Sequence, residues 1–426
     1  MKRISLFLLL FLLLKATVMY SQDGHPETNF RIVPVSPNAA SLGTYGLIPT
    51  DNYVGQARIS IPIYEIDLDG KKFPIALSYH TDGTRVAQEA TWIGLGWTLQ
   101  AGGCVVRQVQ GTDDFAARGC YNLTDAPWLT NPRFEVTDQN LEKYMGYFKG
   151  DYDAEPDMFY FNAGGHSGSM YFDVLKNNRQ LNAVPTIQTQ EKVVKMVYNT
   201  SNKTWTMTDL EGYVYSFSTK EITYYFLNTI DFFQTDITRS HIFPYYNEPQ
   251  IVTAWMLDSV TSPNGGKIMF SYKKESIFTP ISTTEDVISL SKIVNGQLSS
   301  QSPQYFTNKF NYNYSYSKIE QWTLSAITFE GGKVEFGTTD REDIESAETG
   351  KKVQKLSSIK VSDTAGNLIK TTMLEYKYLL SGMAATTNGY DDRLLLSKVY
   401  DVAGSKKNNV YTMDYNMGKL PPKRSL

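Results

Sequence analysis

Cysteine, histidine and net charge are all scarce. The 426-residue chain carries two cysteines, Cys104 and Cys120, and four histidines, His25, His80, His166 and His241. Two thiols exclude a disulfide-dense scaffold and a paired-cysteine zinc site. The histidines never fall into an H-E-x-x-H arrangement, which removes the helical zinc-protease pattern. A net charge of −3 gives no general attraction to nucleic acid or anionic lipid, so no nucleic-acid partner is expected. No Walker sequence occurs, and Gly94-Leu95-Gly96 fails the G-x-G-x-x-G fingerprint because Leu99 stands where it needs glycine. Beyond the first residues no apolar run is long enough to cross a bilayer.

The apolar run that does occur is at the start. Lys2-Arg3 precede Leu6–Leu14, Lys15 interrupts, and small residues follow at Ala16, Thr17 and Ser21. Residues 1–21 read as a cleaved signal peptide, which makes the product secreted or held at the cell surface, with no membrane span after cleavage. Export leaves Cys104 and Cys120 free either to pair or to remain two buried thiols.

Aromatic residues are abundant at 13%, with 29 Tyr and 21 Phe, and this favours β-sheet. Residues 22–55, with Pro26, Pro34, Pro37 and Pro49, predict an extended, irregular lead-in. Ala57, Ile59, Ile61 and Ile63 alternate with more polar residues and predict a strand with one buried face. Ile66 and Leu68 are out of phase with Ile63, which predicts a bulge near Tyr64-Glu65. Asp69-Gly70 makes a turn, and Phe73, Ile75, Leu77 and Tyr79 return. The centre of the N-terminal part is Ala90–Arg107, where Trp92 and Trp97 bracket Gly94-Leu95-Gly96, and Gly102-Gly103 precede Cys104-Val105-Val106. Large rings beside residues with no side chain predict backbone packed closely against aromatic faces.

Residues 113–248 are less regular. A short helix is predicted over residues 140–148, and hairpins over Met158–Phe172 and Trp205–Phe217 with Gly164-Gly165 and Glu211-Gly212 at their turns. From residue 249 the chain repeats itself. Leu257-Asp258-Ser259-Val260, Leu324-Ser325-Ala326-Ile327, Leu356-Ser357-Ser358-Ile359 and Leu396-Ser397-Lys398-Val399 share L-[DS]-x-[VI]. Each is followed by a glycine turn and a strand ending in aromatics, among them Tyr272, Phe336, Tyr376 and Tyr415. The irregular spacing fits serial β-hairpins with loops of varying length rather than a strict solenoid.

Three groups of residues resemble the N-terminal region of bacterial RHS/YD-repeat proteins, and the first also resembles the start of the toxin-complex B component and its virulence-plasmid relatives. They are Ser60–Ile63 with Phe73–His80 and Gly94-Leu-Gly-Trp97-x-Leu99-x-Ala-Gly-Gly103; Glu155-Pro-Asp-x-Phe-Tyr-Phe-Asn162 with Gly165 and Gly168; and the repeated hairpin unit. The resemblance implies an exported β-rich module of a shell that, in the wider family, encloses a toxin. The chain departs from that pattern in having no long tandem YD array and no toxin tail before Leu426, and reads as the front of a longer protein or a shortened relative.

The expected architecture is all-β: residues 22–112 a sandwich-like N-terminal unit, 113–248 an irregular β-rich middle, and 249–426 serial hairpins forming a curved sheet or partial shell. The expected function is a non-enzymatic structural or interaction module, with a surface adhesin or glycan-binding protein as the alternative. The expected partner is a continuation of the chain or another protein at an open sheet edge after Tyr415. No catalytic, cofactor or metal residue is assigned. Gly165-His166-Ser167-Gly168-Ser169 misses the G-x-S-x-G nucleophile elbow at its last position and precedes a strand. His80 and Asp82 sit at a turn, where an Asx turn accounts for Asp82. Asp151, Asp153, Glu155 and Asp157 place carboxylates at alternate positions, a pattern open to calcium or to a solvated acidic turn; the loop lacks the EF-hand glycine and distal glutamate.

Overall fold

The computed structural model describes residues 33–47, 59–80, 85, 88–111, 113–116, 119–120, 153, 155–172, 185–188, 194–230, 250–289, 293–294, 297–298, 308–380 and 390–418. The signal-like start, the helix predicted over 140–148, and His25, Asp82, Asp151 and His241 lie outside the described residues. Two compact units are distinguished. One comprises residues 1–32, 109–157 and 172–180; the other comprises 33–108, 158–171 and 181–426.

The larger unit is almost entirely β, as the aromatic content and alternation predict. Its three-stranded antiparallel sheet is formed by β1 (Ile59–Leu68), β2 (Lys71–Tyr79) and β3 (Trp97–Gln100). A second sheet has sixteen strands. It contains β4 (Gly103–Gln108), β5 (Met158–Ala163), β6 (His166–Tyr171), β7 (Thr186–Ile187), β8 (Val194–Asn199), β9 (Thr204–Asp209), β10 (Val214–Ile230) and β11 (Ile251–Thr261). It continues with β12 (Lys267–Phe278), β13 (Ser282–Ser289), β16 (Asn308–Phe329), β17 (Gly332–Asp340), β18 (Gln354–Ser362), β19 (Leu368–Leu379), β20 (Arg393–Ala403) and β21 (Lys406–Thr412). The short strands β14 (Ile293–Val294) and β15 (Gln297–Leu298) form a separate hairpin. Within the large sheet the pairing closes on itself. β10 pairs β11, β11 pairs β12 over three residues, β12 pairs β16, and β16 pairs β10. Beyond this ring, β16 to β21 run as a meander of antiparallel neighbours.

One expectation needs correction. The lead-in is not wholly extended, because Pro37–Leu47 forms helix α1. Ser36 is its N-cap, with Ala39 N donating to Ser36 Oγ at 3.1 Å, and Pro37 occupies the first helical position, where a missing N–H removes no bond. The prolines here start a helix as readily as they prevent one. The bulge expected near Tyr64-Glu65 is present, at Ile63 between Pro62 and Tyr64. The extra residue brings Ile61, Ile63, Ile66 and Leu68 all into the core.

The L-[DS]-x-[VI] repeat has a single structural meaning. In a regular strand, residues three apart point to opposite faces. Here the leucine and the valine or isoleucine of every copy are buried: Leu257 and Val260, Leu324 and Ile327, Leu356 and Ile359, Leu396 and Val399. The register explains it. Asp258, Ser325, Ser357 and Ser397 are each skipped by the pairing, so each copy carries a β-bulge at its second position. The inserted residue returns both apolar side chains to one face. The carbonyl just before the bulge takes a phenol. Tyr272 donates to Leu257 O at 2.7 Å, Tyr376 to Leu356 O at 2.5 Å and Tyr415 to Leu396 O at 2.9 Å. In the remaining copy the corresponding aromatic is Phe336, which has no hydroxyl to offer.

Candidate functional site

The Ala90–Arg107 stretch is the junction between the N-terminal strands and the hairpin meander. Gly94 (φ +121°) lies so close to β20 that a Cβ there would sit 2.9 Å from Leu396 N. Leu95 N donates to Leu394 O at 2.8 Å, and Trp92 O accepts from Leu356 N at 3.0 Å. Gly96 (φ +76°) makes room for the Tyr79 ring, which packs 5.1 Å from Trp97. Trp97 Nε1 donates to Tyr415 Oη at 2.9 Å, and that phenol in turn donates to Leu396 O. Thr91 closes the turn from inside, its hydroxyl 2.6 Å from Trp97 O. The close approach of backbone to rings read from the sequence is therefore present, with β20 as the partner backbone.

A buried ion pair fixes this junction. Arg341 and Asp343 are 2% and 0% exposed and face each other in two bonds, Nε to Oδ1 at 2.8 Å and Nη2 to Oδ2 at 2.7 Å. The remaining guanidinium donors reach Thr91 O at 2.9 Å and Ala90 O at 3.2 Å, while Asp343 Oδ2 accepts from Leu394 N at 3.0 Å. Burial opposes the charge on Arg341, but Asp343 outweighs it and holds the guanidinium protonated. Sequence reasoning missed this pair; the signal was a polar R-x-D between two strands, and nothing local distinguishes it from a surface turn.

A second polar cluster joins three hairpin ends. Lys71 Nζ lies 2.5 Å from Asp209 Oδ2 and 2.9 Å from Glu211 Oε2. Tyr215 Oη donates to Asp209 Oδ2 at 3.1 Å, and His166 Nε2 lies 3.7 Å from it. Burial works against charge on Lys71 and on Asp209, yet their mutual bonding raises the ammonium and lowers the carboxyl from their ordinary ranges. His166 is pushed the other way, first by burial and then by the Lys71 charge, so it titrates below an ordinary imidazole. His166 thus acts beside a structural ion pair. Ser167 begins the outward face of β6, and the turn is made by Gly164-Gly165.

In the smaller unit, the described acidic residues divide: Glu155 is exposed, while Asp153 and Asp157 are not solvated. Asp153 and Asp157 are 7% and 0% exposed. Asp157 accepts from Gln110 N at 2.7 Å and Asp114 N at 3.2 Å, while Asp157 N donates to Asp114 Oδ2 at 2.9 Å. Asp153 Oδ1 accepts from Glu155 N in an Asx turn. Both Asp157 oxygens are thus bonded to backbone amides, and among the described residues no group of three or more His, Cys, Asp or Glu is placed to hold a metal. Cys104 and Cys120 are both buried. His80 is half-buried, its amide donating to Gly96 O.

The larger unit also holds a cavity of about 360 Å³, walled by Ile66, Phe73, Ile75, Gly102, Phe270 and Ile327 among others. The large rings are mostly internal. Trp92, Trp97, Trp205 and Trp255 are buried, and among the described residues Tyr411 is the aromatic that stands exposed, at 44%. No described helix is long and apolar enough to cross a membrane.

No family model and no curated protein matches the sequence. Solved structures similar to the chain include the N-terminal domain of the effector protein SpvB from Salmonella typhimurium strain LT2, at 10% identity and a TM-score of 0.37, over 81% of this chain and 98% of that one. The Photorhabdus luminescens Tc holotoxin pore is similar at 10% identity and a TM-score of 0.38, over 89% of this chain and 16% of that one. The TcdB2-TccC3-Cdc42 crystal structure is similar at 11% identity and a TM-score of 0.35, over 84% of this chain and 15% of that one. These neighbours are toxin-complex components and an effector domain, and the chain spans about 15% of the TcdB2-TccC3 chain it matches. Such identities, with TM-scores below 0.5, assign neither a family nor an activity to this chain.

Proposed function

We propose that the chain is an exported, non-enzymatic scaffold of the RHS and toxin-complex kind, built to present a sheet edge to another polypeptide strand. The observation that carries this reading is the repeated hairpin unit. Each copy adds a bulged strand, a glycine turn and a returning strand to one sheet, and among the described residues β21 pairs with β20 alone. β21 is exposed on both faces along Lys406–Thr412. An edge of this sort invites strand addition. The chemistry-bearing side chains support the same reading: His166, Asp209, Asp153, Asp157, Arg341 and Asp343 are engaged in contacts that hold turns and strands together. The motif resemblance at Gly94–Gly103 and Glu155–Asn162 adds the family to which the scaffold would belong.

The test places a photo-crosslinking residue at Tyr411 on β21, with Leu210, 79% exposed on a hairpin turn, as control, in cells that export the chain. A defined polypeptide adduct at position 411 and none at 210 is the expected result. Retention of the purified chain on a glycan array, with no adduct, would favour the adhesin reading. Turnover of an ester, peptide or glycoside that disappears with His166→Ala or Asp209→Asn would overturn the non-enzymatic reading.

A further inference from the structure

Strand β3 stops at Gln100, opposite Ala76 of β2, while β2 itself reaches back to Lys71. Over Phe73–Ile75, β2 therefore has β1 on one side and, among the described residues, no strand on the other. The chain leaves β3 through Ala101 and Gly102 and begins β4 in the second sheet. The cavity of about 360 Å³ lies at this crossing, with walls drawn from both sheets. Its size falls in the range of about 300–1,000 Å³ that small-molecule sites occupy.

The walls are of two kinds. Ile66, Ile75, Ile268, Phe270 and Ile327 are buried and make an apolar floor. Thr98, Gln100, Asn162 and Ser167 add polar groups, and no lining residue carries a charge. Asn162 commits its Nδ2 to Leu42 O at 3.0 Å. The hydroxyls of Thr98 and Ser167 and the side-chain amide of Gln100 make no hydrogen bond to another described residue. Ser167 is exposed at the mouth, beside Gly165 and Pro74, where water satisfies it. Thr98 is different. It is 6% exposed, and a hydroxyl placed so deep normally has a partner. Its residue is held in register against Ser78 of β2, so the free hydroxyl does not come from a frayed strand end.

We propose that this cavity binds an uncharged alcohol or phenol, with its apolar body on the Ile268, Phe270 and Ile327 floor and its hydroxyl on Thr98 and Gln100. A hydroxyl both donates and accepts, as do the threonine hydroxyl and the glutamine amide, so it satisfies both. Burial of the apolar body supplies the affinity. An ionised ligand would lose its water with no opposite charge in the lining to replace it. No residue of β21 lines the cavity, so the sheet-edge reading and this site stand or fall separately.

The experiment titrates the full chain at neutral pH with 2-naphthol, naphthalene and 2-naphthoate by isothermal calorimetry, and maps the 2-naphthol site by hydrogen-exchange mass spectrometry. One saturable site for 2-naphthol is expected. Naphthalene should bind about fivefold more weakly for want of one hydrogen bond, and 2-naphthoate more weakly by about tenfold or more. Protection from exchange should fall on the Thr98–Gly103 and Asn162–Ser167 segments. Because the Thr98 hydroxyl has no partner in the fold, Thr98→Val should leave the melting temperature unchanged while abolishing the preference for 2-naphthol over naphthalene. Ser167→Trp, placed at the exposed mouth, should block all three probes. Absence of saturable 2-naphthol binding, protection confined to other segments, or tightest binding by 2-naphthoate would overturn the proposal. So would 2-naphthol affinity unchanged in Ser167→Trp, or a lowered melting temperature in Thr98→Val, which would assign that hydroxyl to the fold instead. The titrations and exchange map of the parent chain decide the matter even where a variant fails to fold.

Discussion

At the scale of single residues, the buried Arg341–Asp343 pair makes the sharpest demand on the fold. Its guanidinium holds the Ala90 and Thr91 carbonyls, and its carboxylate holds the Leu394 amide. Arg341→Met leaves an uncompensated buried carboxylate and is expected to cost about 3–5 kcal/mol, measured by urea denaturation. The double variant R341M/D343L removes both charges and should recover part of that loss. A single substitution as mild as a surface change would show that the pair is not what joins the two regions. Tyr376→Phe deletes one neutral hydrogen bond to Leu356 O and should cost about 1 kcal/mol. These residues mark where sequence reading stops. The apolar members of each motif announce themselves by periodicity, and Trp97, Ile61 and Leu257 are buried as expected. A buried Arg or Glu carries no local signature, because its partners lie on strands far away in the chain, as Ser36 and Glu221 do.

Elements show the same division. The hairpin turns at Asp69-Gly70, Gly164-Gly165 and Glu211-Gly212 were legible because turn chemistry is local. The three-residue spacing within L-[DS]-x-[VI] was visible too, but its reason was not, since a bulge is defined by register against a partner strand. That reason is testable. Ser357→Ala keeps the bulge and should change the melting temperature little. Deleting Ser357 removes the extra residue and turns either Leu356 or Ile359 away from the core. Since a one-residue slip exposes a whole apolar face, the deletion is expected to lower stability by about 2–5 kcal/mol, as loss of a buried Leu does. Equal melting temperatures for the deletion and for Ser357→Ala would refute the bulge as the organising feature of the repeat. Helix α1 is the element misread from sequence. Its Ser36-Pro37 start was a cap signal hidden among prolines that also suit extended chain.

Across the larger unit as a whole, stability should follow pH in a particular sense. Asp209 and Asp401 have carboxyls lowered by their lysine, threonine and asparagine partners against the effect of burial. Their contribution is complete above the ordinary carboxyl range and fades as acid protonates them. Glu221 and Glu275 behave oppositely. Burial raises Glu221, and it pushes Glu275 up to about 7. A carboxyl raised in the folded state binds its proton more tightly there than in the unfolded chain. Its stabilisation is complete below the ordinary carboxyl range and is lost as pH climbs toward the folded-state value. The two sets together place the stability maximum in mild acid, near about pH 5, rather than at neutrality. Urea midpoints measured from about pH 3 to about pH 9 should rise and then fall through neutrality. In the double variant E221Q/E275Q the falling limb should flatten while the acid limb remains. A midpoint that climbs steadily from acid to pH 8 in the parent chain would mean that neither buried glutamate keeps its proton into the neutral range, and that the lowered carboxyls of Asp209 and Asp401 alone set the pH response.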